Sequence, residues 1–293
     1  MTQAVWTIER LRTWTCAYLH KHGSTTARLD ADLLLCEVLK LKRLDLYCRL
    51  EQLVSEDELA AFKLLVRRRA AREPLAYILG RRGFHALELA VDPRVLVPRP
   101  ETESLVDAVL VFLRRSDAPP GPLLDLCAGS GAIGLALAHA LTDGAVVREV
   151  WATDLSADAL AVAEQNRRRL ALPIQLFHGD LWAALPAGQQ FAVIASNPPY
   201  VCSAVLPTLE PEVRVWEPVL ALDGGADGLD VLGRIAAGAR GHLLPRGLLA
   251  LELGGPEQAR AVCDLLAAAG LPDAVWTPVG DGPTALVQVR APG

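Results

Sequence analysis

The chain has 293 residues, 52% of them hydrophobic and 22% charged, with a formal net charge of -5. That length suits two domains with cores of their own, and the mild acidity argues against a surface built mainly to hold nucleic acid. Six scattered cysteines without a C-x-x-C pair argue against a disulfide frame or a zinc site, and for buried free thiols in a reducing compartment.

The opening residues, Met1 to Trp6, meet Glu9 and Arg10 too early for a signal peptide, and no apolar run is long enough to cross a bilayer. A cytoplasmic protein is expected. The six histidines are dispersed and no metal is expected. To about residue 80 the chain reads as a helical bundle. Ile8, Leu11, Trp14, Tyr18 and Leu19 form one helical stripe that stops at Gly23, and Ala31, Leu34, Leu35, Val38 and Leu39 form a second. Ser55 with Glu58 makes a capping box ahead of Leu59, Phe62, Leu65 and Val66. Arg67, Arg68, Arg69 and Arg72 read as a solvated helix face, with an acidic partner as the alternative.

Between about 80 and 100 the pattern changes to a β-hairpin, with strands expected over 84–89 and 91–97. A helix is expected over 105–113. From residue 123 strand and helix alternate: strands over 123–126, 146–153, 174–177, 191–195 and 248–253, helices over 132–140, 157–170, 229–239 and 257–269, and last strands at Val275 and 284–289. Alternation of this kind means an α/β domain with a mostly parallel sheet covered on both faces.

Two turns at the carboxyl ends of strands carry chemistry, because ligands of open α/β sheets bind there. Asp125-Leu126-Cys127-Ala128-Gly129-Ser130-Gly131 joins the first strand of this domain to its helix, and its glycines allow a sharp turn and close approach to a ligand. Asp154, ending the next strand, suits both hydroxyls of a ribose. Gly129, Gly131 and Gly134 also match G-x-G-x-x-G, so a nicotinamide dehydrogenase is an alternative. Asp125 speaks against it by adding negative charge where a pyrophosphate would sit. The second turn, Asn197-Pro198-Pro199-Tyr200, follows a buried strand. Its prolines cannot donate, so it offers acceptors, the Asn197 amide and the face of Tyr200 to a substrate arriving with an –NH2 group. Ordinary strand-ending punctuation is the plain alternative.

Together, Asp125 with Cys127, Ala128, Gly129, Ser130 and Gly131, then Asp154, Asp180 and the Asn197 turn resemble the class I S-adenosylmethionine-dependent methyltransferases. Three further stretches narrow the likeness. They are Pro74-Leu75-Ala76-Tyr77-Ile78-Leu79-Gly80 with Phe84, then Val97-Pro98-Arg99-Pro100-Glu101-Thr102-Glu103, and Glu217-Pro218-Val219-Leu220-Ala221-Leu222-Asp223-Gly224-Gly225 before Asp227-Gly228-Leu229. These are similar to the protein-(glutamine-N5) methyltransferases, and among them to those acting on peptide chain release factors.

The resemblance implies a Rossmann-like fold with a mostly parallel seven-stranded sheet and a small N-terminal helical-bundle domain. Residues 1–80 would recognise substrate, 81–104 would form a hairpin linker, and 105–293 would bind S-adenosylmethionine. It implies cofactor contacts from Asp125, Cys127, Ala128, Gly129, Ser130, Gly131, Asp154, Asp180 and Asn197, with either Leu181 or Trp182 on the adenine and Trp182 favoured as the larger flat surface. Asn197, Pro198 and Tyr200 are the expected catalytic residues. Pro199, Phe84, Arg99 and Glu101 join them around the substrate. The expected partner is a release factor carrying a Gly-Gly-Gln motif, met by a monomer with no nucleic acid and no membrane. A ribosomal protein glutamine and an adenine-N6 nucleic-acid substrate are the alternatives, and a binding module without catalysis is a third.

Overall fold

The computed structural model describes residues 6–142 and 148–293. The residues ahead of Trp6, part of the stretch that meets Glu9 and Arg10 too early for a signal peptide, and positions 146–147, read as the start of a strand, lie outside the described residues. The chain divides into two units: Met1–Gly80 with Glu210–Trp216, and Arg81–Leu209 with Glu217–Gly293.

The first unit is helical. α1 (Ile8–Lys21) opens on Thr7, whose hydroxyl accepts the Arg10 N–H at 3.3 Å. Next come α2 (Ala27–Leu39), α3 (Arg43–Cys48), α4 (Glu56–Ala70) and α5 (Leu75–Leu79). The capping box forms at α4: Ser55 Oγ accepts the Glu58 N–H at 3.3 Å, and Glu58 Oε2 accepts the Ser55 N–H at 2.8 Å. Two donors that a helix start leaves without partners are thereby satisfied. Ile8, Leu11, Leu19, Leu34, Leu35, Phe62 and Val66 form the core.

Two expectations are corrected in this unit. α1 turns Ile8, Leu11, Thr15 and Leu19 inward, so Trp14 is 49% exposed and stacks on Tyr18 with ring centroids 4.9 Å apart. The arginines are not all a solvated face either. Arg69 is buried and donates to Asp30 at 2.7 Å and to Glu212 at 2.9 Å, while Arg72 meets Glu210 and Glu212. A buried cation persists only where carboxylates and further hydrogen bonds compensate it. Glu212 lies 143 positions from Arg69, a separation no local pattern reveals. The thiols also differ from expectation, since Cys48 is exposed and the other five cysteines are half-buried.

In the second unit, β1 (Arg81–Phe84) and β2 (Leu87–Ala90) form the hairpin, with Phe84 opposite Leu87. Its turn falls at His85 and Ala86, earlier than expected, because His85 adopts φ +52°, the left-handed conformation that tight hairpin turns need. Residues 91–97 form no strand and run on toward α6 (Glu101–Leu113). The alternation follows as β3 (Leu123–Leu126), α7 (Ala132–Leu141), β4 (Val150–Asp154), α8 (Ala157–Leu170), β5 (Ile174–His178) and β6 (Phe191–Ser196). α9 (Pro211–Arg214) belongs to the segment grouped with the first unit. α10 (Asp230–His242), β7 (Leu243–Leu253), α11 (Pro256–Ala268), β8 (Val275–Pro278) and β9 (Ala285–Arg290) complete the chain. β7 begins five residues before the expected start, with a register irregularity opposite β6.

The seven-stranded sheet has the order β5-β4-β3-β6-β7-β9-β8; its first five strands run parallel, and β9 is antiparallel to both neighbours. Alternate residues feed opposite faces. Leu123, Val193, Ala195, Leu248 and Ala250 meet Val106 and Val109 of α6 and Leu135 of α7. Leu124, Ile194, Leu249 and Leu251 meet Ile235 of α10 and Val262 of α11. From β3 the chain builds outward to β5, then returns to lay β6 on the other side of β3. The crevice between their carboxyl ends is the switch point where such sheets bind ligands.

Candidate active site

At the floor of the crevice the Ser196 hydroxyl donates to the Leu126 carbonyl at 2.5 Å and ties β6 to β3. The turn after β3 needs three left-handed residues, Cys127 (φ +65°), Gly129 (φ +55°) and Gly131 (φ +79°). A Cβ on Gly131 would lie 3.3 Å from Ala163 Cβ, whereas one on Gly129 would project into open space. That open face is the cradle. Asp125 stands beneath it, fully buried, with Oδ2 accepting the Gly134 N–H at 2.7 Å and Oδ1 without a partner. Burial pushes its pKa up to about 7, against the Gly134 hydrogen bond, and the nearby Asp154 adds to the rise. Asp154 accepts the Gly129 N–H through Oδ2 and the Ser156 N–H through Oδ1, both at 2.8 Å. Burial raises its pKa and these two donors oppose the rise.

The turn and Asp154 open into a cavity of about 1170 Å³, counted out to its open mouth. Cys127, Ala128, Gly129, Ser130, Asp154, Asp180, Asn197, Pro199 and Arg99 all line it. Asp125 and Gly131 sit behind the wall and shape the turn from there. Asp180 pairs with Arg234 at 2.7 Å on the rim. These residues fit an adenosyl cofactor: a carboxylate for the ribose, a glycine face open to a ligand and apolar surface for a base.

Two expected positions are corrected. Trp182 is turned away from the cavity, donating to the Arg234 carbonyl at 3.0 Å and stacking on His242 at 4.4 Å, and Leu181 lines the wall instead. The left-handed backbone at Leu181 (φ +47°) points the smaller side chain inward. Leu181→Ala should therefore weaken cofactor binding by about three- to tenfold, the loss of a few methyl groups of apolar contact. Trp182→Phe should leave it unchanged, and calorimetric titration of both variants checks this. Phe84 is 1% exposed and packs in the sheet core, so it stands as a core residue and not on the cavity wall. Glu101 is exposed in the first turn of α6 and lies outside the cavity lining.

The Asn197 turn sits at the cavity's edge. Asn197 and Pro199 face the space, Pro198 is buried and Tyr200 is half-buried beside Gly254. Asn197 Nδ2 donates to Thr102 Oγ1 at 3.1 Å, leaving Oδ1 as the acceptor of the side chain. Thr102, Pro218, Leu220 and Asp223 also line the cavity. All four belong to motifs of the resemblance, which implies no role for them individually. The second glycine motif holds the turn in place. Gly224 N–H donates to the Val201 carbonyl at 2.8 Å, and Gln258 Nε2 donates to the Tyr200 and Gly228 carbonyls at 3.0 Å each. A Cβ on Gly228 would lie 2.4 Å from the Tyr200 oxygen, at φ +77°. Gly228→Ala should lower turnover about tenfold or more while cofactor affinity holds, because the displaced backbone is that of the acceptor turn. Steady-state kinetics with calorimetry checks this.

Among the described residues no group of three or more His, Cys, Asp and Glu is placed to hold a metal. A family model described as the PrmC N-terminal domain matches residues 10–80, and one described as the methyltransferase small domain matches residues 107–207. A release factor glutamine methyltransferase of Geobacter sulfurreducens is 42% identical over 85% of this chain and 85% of its own length. One from Moorella thermoacetica is 43% identical, with the same coverage of both chains. Among solved structures, the hMettl16 catalytic domain in complex with the MAT2A 3'UTR hairpin 1 aligns over 94% of this chain and 91% of its own, with a TM-score of 0.58. At 14% identity that likeness speaks for the fold alone.

Proposed function

The chain belongs to the release factor glutamine methyltransferase family, and on that footing we propose that it methylates the side-chain amide nitrogen of a glutamine in a peptide chain release factor, with S-adenosylmethionine as the methyl source. The observation that carries this reading is the Asn197 side chain. It lines the same cavity as Gly129 and Asp154, with its –NH2 end held by Thr102 and its oxygen left to accept.

Asp154 would hold the ribose, the open face of Gly129 the amino-acid part, and Leu155 and Leu181 the adenine. Bound S-adenosylmethionine supplies a methyl electrophilic enough that no side chain has to act as nucleophile. The difficulty lies with the acceptor, because a carboxamide nitrogen shares its lone pair with its carbonyl. Asn197 Oδ1 and the Pro198 carbonyl each accept one N–H of the substrate amide and aim its nitrogen at the methyl carbon. Positioning of this kind is worth about 7–11 kcal/mol in favourable intramolecular cases. Both acceptors gain strength as positive charge builds on nitrogen. Tyr200 is no base or acid here. Burial, with the nearby Glu252 charge, pushes its phenol up to about 12, so it stays neutral and shields the amide from water. The released proton passes to one of the two acceptors and from there to water.

The helical unit is assigned recognition of the folded substrate. A translation factor as substrate goes with action in the cytoplasm, and no described helix is long and apolar enough to cross a membrane. The test is incubation of the protein with a release factor and labelled S-adenosylmethionine, followed by mass spectrometry of the Gly-Gly-Gln peptide. One methyl on the glutamine amide is expected. Label on another protein, or on nucleic acid, would overturn the assignment.

A further inference from the structure

We propose that Glu252 is a positioning residue: its carboxylate, behind Thr102 and the Asn197 amide, decides which end of that amide faces the substrate. The proposal rests on the reading that Asn197 Oδ1 accepts the substrate N–H.

Glu252 stands near the end of β7 and is 2% exposed, in the apolar run Leu248-Leu249-Ala250-Leu251-Glu252-Leu253. Burying a carboxyl in such a strand costs several kcal/mol, so the position is worth a reason. Strand parity supplies one. Val193 and Ala195 of β6, and Leu248 and Ala250 of β7, face the α6 side of the sheet. Continued by two residues, the same parity carries Asn197 and Glu252 to that side. Ser196 pairs with Leu251, so Asn197 and Glu252 are the next neighbours in register. Thr102, in the first turn of α6, completes the group: it takes the Asn197 Nδ2 hydrogen bond at 3.1 Å, while the buried Glu252 Oε2 has no hydrogen-bond partner of its own, and the nearness of Thr102 and Asn197 lowers the Glu252 pKa against the effect of burial.

A carboxamide rotated by half a turn exchanges its oxygen and nitrogen with almost no change of shape, so packing cannot select the orientation. Thr102 alone cannot select it either, since a hydroxyl both donates and accepts. An ionised carboxylate only accepts. With Glu252 ionised, the –NH2 end must turn toward Thr102 and Glu252, and Oδ1 is left for the substrate. Donation from Nδ2 toward a negative group also draws electron density onto Oδ1 and strengthens it as an acceptor.

Every charged group facing Glu252 bears on its ionisation. Burial raises its pKa most; Thr102, Asn197 and Arg99 lower it, and Glu101 raises it. Tyr200 stays neutral beside it. The balance leaves Glu252 at about 7. The orienting form is the ionised one, present above that value. Below it the protonated carboxyl can donate to Oδ1, and the amide is free to turn over.

The experiment compares the full-length wild-type protein with Glu252→Gln, which keeps the shape and removes the charge. Turnover on a release factor should fall about 10- to 100-fold, the loss of one charge-assisted orienting contact, with KM for S-adenosylmethionine unchanged. The wild-type turnover should drop on the acid side with a midpoint near 7, and the drop should be smaller in the variant, where Asp125 alone is raised to that range. The second readout needs no turnover and leaves Glu252 intact. The side-chain amide NMR signals of Asn197, assigned by their absence in Asn197→Ala, should shift with pH around the same midpoint in the wild type. Wild-type turnover and pH profile in Glu252→Gln, or Asn197 signals indifferent to pH, would overturn the proposal. If release factor goes unmethylated while the Asn197 signals titrate, the substrate assignment falls and the positioning role stands.

Discussion

Asn197→Ala should reduce methyl transfer by at least about 10²- to 10³-fold, the scale on which a lost acceptor or donor at a developing charge is felt, while S-adenosylmethionine binds almost as before. The asymmetry follows from where the side chain points. Its –NH2 end is spent on Thr102 at 3.1 Å, and what remains at the cavity is one carbonyl oxygen. Alanine removes that oxygen, so one N–H of the incoming amide faces water and its nitrogen swings freely. The cofactor's proposed holders, Asp154 and the turn from Cys127 to Gly131, belong to β3, β4 and the loop between β3 and α7, and none depends on the Asn197 side chain. Single-turnover kinetics together with calorimetric affinity separates the two effects. A variant that transfers methyl at the wild-type rate sinks the proposed mechanism.

Asp154→Ala should show the opposite division, with cofactor affinity weakened about 10- to 100-fold through loss of hydrogen bonds to an ionised acceptor, and a smaller effect on turnover at saturating cofactor. The carboxylate is doubly anchored by the Gly129 and Ser156 N–H groups at 2.8 Å each, which fixes both oxygens before a ligand arrives. Part of the loss should appear as a lower melting temperature without ligand, since the Gly129 and Ser156 donors lose their partner. The pH dependence has a definite sign. Burial raises the Asp154 pKa, so the accepting, ionised form begins to disappear at a higher pH than for an ordinary aspartate. Cofactor affinity should weaken on acidification through that range in the wild type and stay level in Asp154→Ala. Titration calorimetry at a series of pH values checks both statements. Equal affinities for the two proteins would mean the ribose is held elsewhere.

Most of the second unit is legible in local pattern. α8 was expected over 157–170 and spans Ala157–Leu170, and β3 was expected over 123–126 and spans Leu123–Leu126. Buried parallel strands are short continuous apolar runs, and helices between them carry period and caps, so each announces itself within its own residues. The hairpin is where local pattern misled. Val91, Val95 and Val97 are all buried and look like a strand, yet 91–97 packs as irregular chain whose valines fill the core outside any strand. Burial explains the valines; strand pairing was never needed.

At the site, the chemistry of the two turns could be read from residue types: glycines that permit left-handed backbone, an aspartate at a strand end, prolines without donors. Which side chain of a pair faces the ligand could not. Leu181 and Trp182 are adjacent, and the larger ring is the natural choice for an adenine wall until the left-handed backbone at Leu181 and the Trp182 bond to the Arg234 carbonyl turn it outward. Arg69 meets Glu212, and Thr102 meets Asn197, across 143 and 95 positions of chain. Element order and turn chemistry are short-range, set by φ preferences and apolar period, and a linear string carries them whole. Partner choice among buried polar groups belongs to the sheet, because only the register of β6 against β7 and the seating of α6 over both bring Asn197, Thr102 and Glu252 to one place.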